Sequence, residues 1–185
     1  MKINILTLTL SILLSFNIAY TQTYKVDLEK SKLEWKSVKI TGEHYGEVKI
    51  QSGFVEIENG KIIGGNFIID MKGMSVVDTD DEEKQKDIID DISGKTFFNV
   101  KEFPTAKFEI TKYYNGFLYG DLTIKGITVS IQFKTQFKIG NKSFIAKTIP
   151  FTIDRRKWKL KLSNWIKESA VDNELEFNVY IQAIK

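Results

Sequence analysis

The stretch Gly120–Ile139, GDLTIKGITVSIQFKTQFKI, carries two strand patterns that meet in its middle. Leu122 and Ile124 alternate with polar or small neighbours. After Gly126 the apolar set becomes Val129, Ile131, Phe133, Phe137 and Ile139, with Thr135 as its one break. A period of two over so many residues gives one wet face and one apolar face. The Gly126-Ile127-Thr128 junction predicts a tight reversal or kink between two antiparallel strands. Long strands with one solvated face suit a curved antiparallel sheet, and closing that sheet into a barrel removes its open edges.

The flanking chain repeats the pattern. Upstream, Asn115-Gly116 and Asn59-Gly60 are two-residue hairpin signals. Pro104 opens a strand with Ala106, Phe108 and Ile110 on one face. Lys61 to Met71 places Ile63, Phe67, Ile69 and Met71 together, with Gly64-Gly65 as the expected bulge. Tyr24, Val26 and Leu28 open the fold, and Leu33 and Trp35 continue it. From Val38 to Ile50 the even positions read as the apolar side, which puts His44 among apolar neighbours between two glycines. Downstream, Ile145, Ile149, Phe151 and Ile153 are odd-numbered, so Arg155 shares their side. Trp158, Leu160 and Leu162 then invert the phase, as a bulge near Arg156 would do. A polar excursion from Asn164 to Asn173 precedes Leu175, Phe177, Val179, Ile181 and Ala183, which close the sheet.

One segment differs. Thr79 and Glu82 form a capping box, Asp80, Asp81 and Glu83 suit the positive end of a helix, and Ile88, Ile89 and Ile92 make a narrow stripe that ends at Gly94. An amphipathic helix over about residues 79–92 is expected to cover one mouth or flank of the sheet. The reading is an all-β chain of about eight antiparallel strands with one inserted helix. At that strand number a barrel encloses side chains or one small ligand.

Lys2 precedes an apolar run from Ile3 to Ile18, and Ala19 and Thr21 have the spacing that a signal peptidase reads. Residues 1–21 are therefore expected to be a cleaved signal peptide and 22–185 a single exported domain, periplasmic or extracellular and soluble. The whole chain has no cysteine, so its core forms without disulfides. A net charge of +3 with acids and bases interspersed gives no basic stripe for nucleic acid.

The catalytic inventory is thin. One histidine and no cysteine exclude thiolate zinc sites and histidine clusters, and neither metal nor cofactor is expected. Asp78, Asp80 and Glu82 imitate the spacing of a calcium loop but lack its glycine, so they read as a helix N-terminus. His44 and Arg155 stand out because each falls on an apolar face, where polarity is costly. For His44 the plain reading is a turn histidine bonded to a backbone carbonyl. For Arg155 it is an ion pair with Asp154 or another acid. The functional reading has both holding the polar head of a ligand whose tail fills the barrel against Phe67, Phe108, Ile131, Phe133, Trp158 and Phe177.

Phe97-Phe98-Asn99-Val100-Lys101-Glu102-Phe103-Pro104, then Ala106-Lys107-Phe108, Gly120 to Thr128, and Asp154-Arg155 together resemble the successive signatures of the YceI-like family. The resemblance covers essentially the whole mature chain. It implies a lipocalin-like antiparallel barrel that binds a polyisoprenoid or similar amphiphilic lipid in its interior and is not an enzyme. Where the family often has a histidine and a basic residue before the Phe-Phe pair, this chain has Asp90-Asp91-Ile92-Ser93. Two other readings stand beside the carrier: a packed structural or stress barrel without a ligand, and a barrel hydrolase or isomerase using His44 as base with Asp70 or Asp154 as orienter. Transient membrane contact is expected of a lipid carrier, as a monomer or dimer.

Overall fold

The computed structural model describes residues 21–162 and 171–185. The strands are β1 (Gln22–Val26), β2 (Lys32–Lys39), β3 (Gly42–Glu47), β4 (Lys49–Glu58), β5 (Lys61–Asp70), β6 (Thr105–Tyr114), β7 (Phe117–Ile124), β8 (Ile127–Ile139), β9 (Ser143–Thr148), β10 (Phe151–Asp154) and β11 (Val171–Ile184), with helix α1 at Glu82–Ser93. Eight of these strands close into an antiparallel ring, β1-β4-β5-β6-β7-β8-β9-β11, which returns from β11 to β1. The other three prolong ring members. β2 follows β1 along one edge of β11, β3 pairs with β2 and runs on into β4, and β10 follows β9 along the other edge of β11.

The two Asn-Gly reversals lie where the sequence put them, and the third falls at Lys125-Gly126, with Ile127 and Thr128 already in β8 rather than in the expected Gly126-Ile127-Thr128 junction. Asn59-Gly60, Asn115-Gly116 and Lys125-Gly126 all have positive φ at both central residues, the type I′ geometry whose twist matches the strands it joins. In β8 the odd residues face inward, and Thr135, its one polar member, is buried with them.

Several local phases differ from the sequence reading. β2 and β3 form a hairpin turning at Ile40-Thr41, with Ser37 opposite His44 and Trp35 opposite Gly46. Opposed residues share a face, so the reversal exchanges odd for even: Trp35, Ser37 and Lys39 face in, Val38 faces out, and Ile40 is 80% exposed at the tip. The bulge in β5 falls at Ile63, just before Gly64-Gly65, and leaves Ile63 outside while Ile62 is buried. Ile149-Pro150 breaks β9 from β10, because proline cannot donate to a ladder. The break switches parity, so Ile149 is outside and Phe151 and Ile153 are inside. After Arg155 the chain makes a 3-10 turn, Arg155–Trp158, ending with Lys159 at φ 55, in place of the expected bulge. Strand β11 begins at Val171, within the expected polar excursion.

Helix α1 starts at Glu82, three residues later than expected. Its N-cap is Asp81, whose side chain accepts from the Glu83 and Lys84 N–H groups, and Gly94 is the C-cap. Thr79 caps the preceding turn instead, accepting from Asp81 N–H. The helix has no buried residue, and Ile89 and Ile92 rest against the core. The core falls into two clusters. One, around Val48, Ile69, Phe97, Ala106, Ile124, Trp158 and Leu175, is at the helix-covered end, and the other, around Tyr24, Val55, Ile62, Phe108, Phe133, Phe144 and Ile181, is at the opposite end.

The expected leader, residues 1–20 of it, and the chain from 163 to 170 lie outside the described residues.

Candidate functional site

Residues of both clusters line one cavity of about 580 Å³, so the barrel interior is hollow rather than packed. Its volume is in the range of small-molecule pockets. Across its wall Phe108, Phe133, Phe151 and Phe177 form a contiguous aromatic band. Centroids are 5.6 Å apart for Phe108–Phe133, 4.1 Å for the stacked pair Phe133–Phe151 and 5.9 Å for Phe151–Phe177. Their inward placement follows from strand parity in β6, β8, β10 and β11, and such offset arrays add to what area burial alone gives.

The cavity reaches solvent between the β2–β3 hairpin and helix α1. Lys39, Ile40, Thr41 and His44 line it from the hairpin, and Lys84, Asp87, Ile88, Asp91 and Ile92 line it from the helix. Deeper in the wall the hydroxyl of Thr135 is buried and has no hydrogen-bond partner among the described residues. Thr148 opposite it is satisfied by Val179, whose N–H it accepts at 2.9 Å where the β9–β10 break leaves the ladder open.

Of the residues expected at the site, His44, Phe67, Phe108, Ile131, Phe133, Arg155 and Phe177 all line this cavity. Trp158 does not. It is fully buried in the wall, with Nε1 donating to the Leu122 carbonyl at 3.1 Å, because the 3-10 turn aims its ring at β7.

Arg155 is 1% exposed. Its Nη1 donates to the Leu160 carbonyl at 2.9 Å and its Nε to the Asp172 carbonyl at 3.2 Å, so it ties the chain after β10 to the start of β11. Asp154 does not pair with it. That carboxylate grips Arg156, Oδ2 to Nη2 at 2.7 Å, and the Arg156 hydrogen bonds outweigh desolvation and lower the Asp154 pKa to about 2.

His44 is bonded through both ring nitrogens to side chains, not to a turn carbonyl. Nδ1 lies 2.8 Å from Asp78 Oδ2 and Nε2 lies 2.6 Å from Lys39 Nζ. The orienting acid is thus Asp78. Asp70 instead caps the 3-10 turn Met71–Gly73 through Lys72 N–H. Desolvation resists ionisation of Asp78, but the bonds from His44 and from Tyr45 N–H prevail and hold its carboxyl below the usual range. Sequence reasoning missed Lys39 and Asp78. Treating Ile40-Thr41 as a hairpin turn would have turned Lys39 inward, whereas no local pattern reveals that Asp78 meets His44.

A closed eight-stranded antiparallel barrel with an apolar hollow and a helix over one end defines the lipocalin-like class. Within it the chain belongs to the YceI-like family: the YceI-like domain matches residues 24–183. Among solved structures it is similar to Burkholderia cenocepacia BcnA, with a TM-score of 0.69 and 21% identity over 85% of this chain and 99% of that one. A polyisoprenoid binding domain from Saccharophagus degradans, implicated in plant cell wall breakdown, gives 0.63 and 11% over 87% and 97%. The Campylobacter jejuni YceI protein gives 0.54 and 17% over 68% and 74%. No curated protein matches the chain.

Proposed function

We propose that this protein is an exported carrier that sequesters an isoprenoid-tailed or similar amphiphilic lipid in its barrel. The carrying observation is the 580 Å³ apolar cavity with its aromatic band, open beside a helix that has no buried residue. Membership of the YceI-like family and the likeness to a polyisoprenoid binding domain support the same reading.

The energetics suit a tail of moderate length. At ~30 Å³ per water-sized group the cavity has room for roughly twenty such groups, or about four isoprene units. Each five-carbon unit leaving water gains roughly 4 kcal/mol gross at ~0.8 kcal/mol per carbon. Three or four units therefore outweigh the several kcal/mol lost in freedom on binding. A dry channel suffices, and a carrier needs no catalyst. The base that a hydrolase or isomerase would require is engaged: Lys39 occupies Nε2, the nitrogen that His44 would present to a substrate proton.

Mass spectrometry of an organic extract of protein purified from its native host is the test. An isoprenoid-tailed lipid at near-stoichiometric yield is expected. A blank extract, together with failure to bind a fluorescent polyprenyl probe, would overturn the reading. Export rests on the leader in the sequence, and intact mass of the native protein beginning at Gln22 is the expected result.

A further inference from the structure

We infer that Lys39, aimed by the His44–Asp78 pair, anchors an acidic head group on the ligand, a phosphate or a carboxylate at the end of its apolar chain. This rests on the carrier reading above and specifies which end of the ligand sits at the mouth.

The tautomer follows from the partners. Asp78 is an ionised acceptor, so His44 Nδ1 carries the proton, and an ammonium can only donate, so Nε2 is the bare acceptor facing Lys39. The imidazole thereby takes one of three ammonium N–H groups and fixes where the other two point. Asp78 is already met by His44 and by Tyr45 N–H at 3.2 Å. No carboxylate among the described residues lies within ion-pair distance of Lys39. A half-buried cation with open donors at the rim of an apolar cavity is a place for an anion, because the pair is less screened there than on an open surface. Ser37, opposite His44 on the inner face, adds a hydroxyl to the same rim.

The other charged groups of the mouth limit the kind of anion. Lys84, Asp87 and Asp91 line it from helix α1. Acidic side chains across the opening disfavour a head of high charge, so a single acidic group fits better than a pyrophosphate. The geometry also sets a minimum tail. Phe177 of the aromatic band is opposite Trp35, four residues before Lys39 in β2. At ~3.3 Å per residue a chain must span about 13 Å to join head site and band.

The test compares geranylgeranyl monophosphate, geranylgeraniol and inorganic phosphate on the full chain, read by calorimetry. The wild type is expected to bind the phosphate lipid at least tenfold more tightly than the alcohol. Lys39→Gln should erase that preference while holding the alcohol within twofold, and Lys39→Arg should restore most of it. Asp78→Asn, which removes the positioning acid, should lower the preference rather than both affinities. Inorganic phosphate at millimolar concentration should not displace the lipid. Equal binding of phosphate lipid and alcohol by the wild type, or equal weakening of both by Lys39→Gln, overturns the head-group site and leaves the carrier standing. Displacement by inorganic phosphate makes it a site for the free ion and overturns the inference too. Binding of neither lipid overturns both readings.

Discussion

The ring of Phe108 fills the space in which a side chain on Gly120 would begin. A Cβ there would lie 2.4 Å from Phe108 Cζ and 2.5 Å from the Glu109 carbonyl oxygen. Both the ring and the β6 backbone must shift to admit it, and the free space open to the ring lies inward. Gly120→Ala is expected to push Phe108 into the cavity at a cost of about 1–3 kcal/mol, the usual penalty of overpacking. Thermal melts should show the loss, and titration with a C20 polyprenol should show weakened binding. Unchanged melting and affinity would mean the ring has another place to go.

Among the described residues Arg155 donates to two main-chain carbonyls, so its first effect should be on stability. Arg155→Met leaves Leu160 O and Asp172 O without their charged donor, and each such bond is worth about 1.5–3 kcal/mol. A fall in Tm of at least about 6 °C is expected, at about 2–4 °C per kcal/mol for a chain of this size. Phosphate lipid and alcohol should weaken in equal proportion. Selective loss of the phosphate lipid would instead make Arg155 a head-group contact.

Helix α1 rests on the barrel through Ile89 and Ile92 and faces the cavity with Ile88. Segments with little burial open most readily. Ile88→Asp should therefore raise the dissociation rate of a fluorescent lipid severalfold and leave the melting temperature nearly unchanged. Stopped-flow exchange measures the first and calorimetry the second. Equal rates in mutant and wild type would show that ligand leaves by another route.

The Asp154–Arg156 contact gives a pH dependence of known sign. The folded pKa of Asp154 is lowered from 3.8 to about 2, so its contribution is complete above 3.8 and is lost as pH falls from there through the folded value. Asp154→Asn should lower the Tm slightly at neutral pH and flatten its decline across that window. The contribution is small because the pair is near the surface. Parallel pH profiles for wild type and variant would show that other carboxylates govern acid unfolding.

Much of the fold was legible because β-structure writes itself locally. The alternation in Val129–Ile139 and Leu175–Ala183 survived intact, and each Asn-Gly pair made its turn. What misled was parity. Ile40-Thr41 reverses the chain, Ile63 adds a residue and Pro150 breaks a strand. Each event exchanges inside for outside, so Val38, Ile63, Ile145 and Ile149 were assigned to the wrong face. Arg155 was placed inward correctly, since it follows Ile153 without a further break.

The sequence by itself determined the barrel, its helix, its family and the apolar character of its interior, because composition and period-two patterning fix which residues of a strand leave water. Only the tertiary structure decided that the interior is hollow, that Trp158 belongs to the wall, and that Lys39, His44 and Asp78 form one chain of contacts at the mouth. His44 and Asp78 are 34 residues apart. They meet because the segment after β5 returns along β3, where Val77 N–H bonds to the Tyr45 carbonyl. That meeting is a property of how this segment packs against the β2–β3 hairpin and carries no local periodic signal.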